Sequence, residues 1–127
     1  MQLEPLELAV LEKLLEGSHP ALQALRQQLM GIAVKERQKT GSGFMTRLQV
    51  TSSASRAPVE TDKVRFGDVH ATLPGLAAGA GFLLYVDGGF IRALEGYSFE
   101  EPWPNNTSKF ELKYNNHDRS QELRKLN

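Results

Sequence analysis

Hydrophobic positions recur at three- and four-residue steps through the first third of the chain, and at two-residue steps through much of the rest. Leu3, Leu6, Val10 and Leu14 form one helical stripe, and Leu11 and Leu15 widen it. Glu4 and Glu7 sit near its start, where negative charge suits the helix dipole. Gly17 is a natural stop. Ser18 and His19 are candidate caps for a second helix. Pro20 is tolerated in its first turn, because the missing N–H would have no partner there. Leu22, Leu25, Leu29 and Ile32 give that helix its face, and Gly31 marks its end. So short a turn between them predicts a helical pair over residues 1–32.

The period then changes. Val34 to Thr40 is charged and alternates weakly, like an exposed edge strand, and Gly41-Ser42-Gly43 is a turn. Phe44, Thr46, Leu48 and Val50 alternate with Met45, Arg47, Gln49 and Thr51, as a half-buried strand does. Thr51 to Asp62 is rich in Ser, Thr and Ala and reads as a loop. Asp68 to Leu73 puts Val69, Ala71 and Leu73 on one face, and Pro74-Gly75 ends it. Phe82 to Val86 is apolar on both faces, which predicts a central strand with cover on both sides. Asp87-Gly88 predicts a tight hairpin turn returning into Phe90 to Leu94. Glu95 to Asn106 is irregular, since Pro102 and Pro104 cannot donate to a ladder. Phe110, Leu112 and Tyr114 mark a last strand. Helices followed by closely spaced strands imply an α+β fold, with an N-terminal helical pair packed on an antiparallel sheet of five or six strands. One domain of 127 residues is expected: the helical pair at 1–32, the sheet at 33–114 and a polar tail at 115–127.

Composition narrows the chemistry. Fifteen basic and fifteen acidic residues cancel, which argues against nucleic-acid binding through a general basic surface. The absence of cysteine removes disulfides, thiol nucleophiles, zinc fingers and iron–sulfur clusters together. No motif calls for a cofactor. The N-terminal stretch lacks the basic region of a secretory signal, and no apolar run approaches the roughly 20 residues that span a bilayer. The expected location is cytoplasmic, where the sequon Asn106-Thr107-Ser108 carries no sugar.

Each candidate constellation has a structural reading beside the chemical one. His19, His70 and His117 lie on different elements without metal-ligand spacing. Asp68 and His70 share a predicted strand face, and such a pair can poise a general base or simply face water. Ser52, Ser53 and Ser55 lie outside any nucleophile elbow. Gly75, Gly79 and Gly81 suggest a phosphate loop only loosely, because Gly81 opens a strand and no helix follows. Arg26, Lys35, Arg37, Lys39 and Arg47, with Phe44 nearby, form a basic stretch. A solvated edge strand explains these residues more simply than nucleic-acid binding does. Glu95, Tyr97, Phe99, Glu100, Glu101 and Trp103 combine carboxylates with aromatic rings. They suit a recognition surface for another protein, with Trp103 as anchor or as core plug. A rival reading is a small enzyme or sugar-binding protein working through Glu95, Glu101, Trp103, Asp68 and His70. A third is a homo-oligomer joined through a sheet edge.

The stretch Gly79-Ala80-Gly81-Phe82-Leu83-Leu84-Tyr85-Val86-Asp87-Gly88-Gly89-Phe90, followed by Leu94-Glu95-Gly96-Tyr97 and Glu101-Pro102-Trp103-Pro104, resembles a C-terminal signature of a family of small uncharacterised bacterial proteins. Gly67-Asp68-Val69-His70-Ala71 and Gly41-Ser42-Gly43-Phe44 are similar to its earlier parts, so the resemblance covers most of Gly41 to Tyr114. Some members resemble immunity proteins of toxin–immunity systems. The resemblance implies binding to another protein, such as a basic toxin domain, without catalytic residues.

Overall fold

The computed structural model describes all residues, 1–127. Two helices, α1 (Pro5–Leu14) and α2 (Pro20–Gln28), precede seven strands: β1 (Ala33–Thr40), β2 (Gly43–Gln49), β3 (Lys63–Phe66), β4 (Val69–Thr72), β5 (Ala80–Asp87), β6 (Phe90–Ser98) and β7 (Glu111–Tyr114). A short helix α3 (Ser120–Leu123) and a 3-10 turn (Arg124–Leu126) close the chain. The sheet is antiparallel, in the order β1-β2-β6-β5-β4-β7, with β3 also paired to β5. The α+β architecture, the helical pair and the central position of β5 and β6 follow the sequence pattern.

Seven strands exceed the five or six expected. The additional one is β3, a four-residue segment just after the predicted loop. Its Val64 and Phe66 are buried, but two apolar positions are too short a pattern to announce a strand. β3 and β4 run along the same side of β5 with a one-residue slip between them: Phe66 faces Leu84, whereas His70 faces Gly81. The slip falls at Gly67-Asp68. A Cβ on Gly67 would lie 1.9 Å from the Phe82 carbonyl oxygen, so only glycine permits this approach.

The β5–β6 turn is centred one residue later than the Asp87-Gly88 pair suggests. Asp87 still pairs with Phe90, and the two central residues are Gly88 and Gly89, with φ of 60° and 84°. Both occupy the left-handed region that a primed hairpin turn requires, and glycine reaches it without steric cost.

Alternation divides the sheet into two faces. Phe82, Leu84 and Val86 of β5, with Ile91 and Leu94 of β6, point toward the helices. There they join Leu6, Val10, Leu14, Leu22 and Leu25 in one hydrophobic cluster. Burying each such side chain contributes about 1.5–3 kcal/mol. The opposite face carries no helix, contrary to the cover expected on both sides of β5. Leu83 and Tyr85 there are half-buried among neighbouring side chains. The loop between β2 and β3 joins the core through Ala57 and Val59. The tail is anchored too, since Leu126 is 0% exposed and belongs to the same cluster.

Two buried polar nodes lock the helices to the sheet. The Glu7 carboxylate receives both Arg37 Nε and Nη2, at 3.0 and 2.6 Å, the Thr46 hydroxyl, and the Glu4 backbone N–H at 2.7 Å. It thus caps α1 and ties it to β1 and β2. At the other end of α1, Arg119 donates to the carbonyls of Leu14 and Glu16, at 2.8 and 2.7 Å, and Arg26 donates to that of Gly17 at 2.8 Å. Helix ends leave carbonyls without partners and favour cations there.

Candidate functional site

β6 and the segment after it place the six residues of the predicted recognition surface, and the sheet separates them. Glu95 and Tyr97 alternate outward from β6 onto the open face, opposite Leu83 and Gly81 of β5. Phe99 follows, with its ring centroid 5.8 Å from that of Tyr97 in an edge-on arrangement. His70 of β4, also opposite Gly81, stacks against Phe99 at 6.5 Å. A Cβ on Gly81 would lie 2.7 Å from the Tyr97 ring, so this glycine seats the tyrosine. Tyr97 is 38% exposed and Phe99 54%; both exceed what every other aromatic side chain leaves open.

The acidic members are largely engaged. Glu95 accepts the Tyr85 hydroxyl at 2.9 Å. Burial and then this bond push the Tyr85 phenol above its ordinary value. Glu101 accepts the Ala77 N–H with both oxygens, at 2.8 and 3.1 Å, and so clamps the loop between β4 and β5. Only Glu100 is fully open. Trp103 leaves the group altogether. Its ring packs edge-on against buried Phe44 at 5.4 Å, and its backbone N–H donates to the Gly41 carbonyl at 3.0 Å. It is a half-buried plug at the margin of the core.

Asp68 and His70 are not a pair. The register slip at Gly67-Asp68 turns Asp68 toward the helices, where it is 6% exposed and bound by Arg119 through Nε at 2.6 Å and Nη2 at 3.1 Å. His70 stays on the open face, its Nε2 3.0 Å from the Ala78 carbonyl oxygen. The five residues of the enzyme or sugar-binding reading therefore do not converge. His19 caps α2 by accepting the Ala21 N–H at 3.0 Å, while His117 is exposed at the far end of the chain. Gly79 lies against His70 and the Ala71 carbonyl rather than in a loop before a helix. Within the basic stretch, Arg37 and Arg26 are tied up at the two ends of α1, and Phe44 is buried.

Sequence reasoning passed over a second part of the open face. Lys35, Met45, Arg47, Tyr85, Asp87 and Arg92 line a hollow of about 410 Å³ there. Arg65 covers the Tyr85 ring at 4.4 Å and holds Asp87 at 2.8 Å. Strand alternation signals each outward position singly, but their meeting depends on the pairing of β1, β2, β6 and β5. The open face thus has an aromatic end at Tyr97 and Phe99 and a cationic end at Lys35, Arg47 and Arg92. Comparison with protein-family models, curated proteins and solved structures finds no match to this chain.

Proposed function

We propose that the protein is a protein-binding module that engages its partner through the open sheet face, with an immunity-type inhibitor of a bacterial toxin as its sharpest form. The observation that supports this is the pair Tyr97 and Phe99: two aromatic rings in contact with each other, both exposed, on a face that no element of the chain covers. Tyrosine and other large aromatic side chains dominate the energetics of protein interfaces. They lose little rotamer freedom on binding, and here Gly81 and His70 already hold them in place. Glu100, the fully open carboxylate beside them, is placed to meet a basic group of a toxin domain.

Co-expression with the toxin encoded by a neighbouring gene tests this reading. The wild-type chain should bind the toxin and protect the cell. Tyr97→Ala/Phe99→Ala should keep the thermal midpoint and weaken binding by about 2 kcal/mol or more, roughly thirtyfold. A double variant that protects as well as wild type would overturn the assignment to this face, and a wild-type chain that neither binds nor neutralises the toxin would overturn the immunity reading.

A further inference from the structure

Two irregularities of the sheet fall beside the same hollow. In β1 the pairing passes from Val34 opposite Leu48 to Glu36 opposite Arg47, which leaves Lys35 as an extra residue. In β6 it passes from Ala93 opposite Tyr85 to Ile91 opposite Val86, which leaves Arg92. A bulge puts two residues against one and re-aims a side chain. Val34 on one strand, and Ile91 and Leu94 on the other, are buried on the helix side. The added side chains therefore go to the open face, and both line the hollow with Arg47.

The charges there do not cancel. Asp87 is already held by Arg65. Arg47 meets Glu36 only at 3.8 Å, with both side chains more than half exposed. Lys35 and Arg92 take part in none of the chain's ion pairs. A protein of zero formal net charge thus concentrates three cations around one hollow, two of them placed by bulges.

We propose that this hollow receives the carboxylates of an acidic segment of the protein partner, laid along the open face from the Tyr97–Phe99 end toward Lys35 and Arg92. The inference rests on the protein-binding reading above and concerns a different part of the partner from the basic group that faces Glu100: it adds the charge of the segment that enters the hollow. Three cations spread over β1, β2 and β6 suit a row of carboxylates better than one compact anion. Of the strands beneath, β2, β6 and β5 are paired on both sides and only β1 is an edge, so the sheet offers few free backbone N–H groups for the cradle that a phosphate site uses.

The probe is an acetylated hexaglutamate peptide titrated into the isotope-labelled full chain, read by amide chemical shifts, with inorganic pyrophosphate as the comparison. Hexaglutamate should shift amides around Lys35, Arg47 and Arg92. Its affinity should fall about tenfold or more in Lys35→Glu/Arg92→Glu, and likewise as ionic strength rises from about 0.02 to about 0.3 M. An unchanged thermal midpoint certifies the fold of that exposed variant. Shifts centred elsewhere, no shifts, or equal affinity in the variant would overturn the proposal. So would pyrophosphate binding the same amides more tightly than the peptide, since that marks a small-phosphate site. Phe99→Ala separates the two readings. If the partner needs Phe99 but hexaglutamate does not bind, only the acidic-segment inference fails. If hexaglutamate binds while partner capture ignores Tyr97 and Phe99, the aromatic end of the face is the part that fails.

Discussion

Removing the Glu7 carboxylate should be one of the costliest single changes at the helix–sheet junction. Glu7 is 1% exposed, and its carboxylate is the meeting point of Arg37, Thr46 and the Glu4 N–H. In Glu7→Ala the Arg37 guanidinium, itself largely buried, keeps only the Gln2 carbonyl at 3.0 Å and a distant Glu4 at 3.8 Å. Deleting one partner of a buried pair costs about 3–5 kcal/mol, mostly through the charge left behind. Loss of the bond at the start of α1 adds about 0.5–1 kcal/mol. A total of about 5 kcal/mol lowers the melting temperature of a chain this size by about 15–25 °C. Urea unfolding followed by circular dichroism would show it as a lower midpoint at unchanged slope.

Glu7→Gln isolates the charge, and pH supplies a second reading. Burial pushes the Glu7 carboxyl up, but the bonds from Arg37, Thr46 and the Glu4 N–H outweigh burial and hold it below its ordinary value of 4.5. A carboxyl whose folded pKa is depressed stabilises the fold above its unfolded value, and that contribution disappears as pH falls through the folded value. Wild type should therefore lose stability below about pH 4.5 more steeply than Glu7→Gln does. A loss under about 1 kcal/mol for Glu7→Ala, or parallel acid transitions for wild type and Glu7→Gln, would refute the reasoning.

Trp103→Ala should destabilise by about 2–3 kcal/mol, below the range for fully buried aromatic residues, because its ring packs on Phe44 from a half-buried position; an unchanged unfolding midpoint would move Trp103 to the binding surface. Arg119→Ala should cost about 3–5 kcal/mol by stranding Asp68 and the Leu14 and Glu16 carbonyls at and just beyond the end of α1, and limited proteolysis should then cut between Asn115 and Asn127. Burial and then the hydrogen bond to Glu16 push the Tyr114 phenol up to about 12. An ultraviolet pH titration should therefore show Tyr114 ionising late, with Tyr85 also above the ordinary value. Stability should fall between the ordinary tyrosine value of about 10 and that of Tyr114, because the unfolded chain releases its proton first.

Local pattern was enough to read most of the architecture. Leucines at helical spacing marked both helices, and Pro20 behind His19 marked the second start within a residue. Phe82 to Val86 announced a central strand because an unbroken apolar run has few other uses at that length. β3 stayed hidden because four residues carry almost no period, and the hairpin was misplaced by one because Asp87-Gly88 and Gly88-Gly89 are both good turn pairs.

The candidate site was legible only in pieces. Glu95, Tyr97, Phe99, Glu101 and Trp103 were visible as residue types, but the side on which each ends follows from strand pairing and from partners far away in the chain. Asp68 looked like the neighbour of His70 until one extra residue in the ladder turned it toward Arg119. Ile91 and Leu94 are spaced by three, a break in the period of two that could have flagged the bulge at Arg92. Glu7 read as a charge favouring a helix start, and the Arg37 and Thr46 it needs lie 30 and 39 residues on. Sequence period is a local property and names elements and faces. Register, bulges and the pairing of buried charges are non-local, so only the assembled sheet decided which polar groups meet and which face stays open.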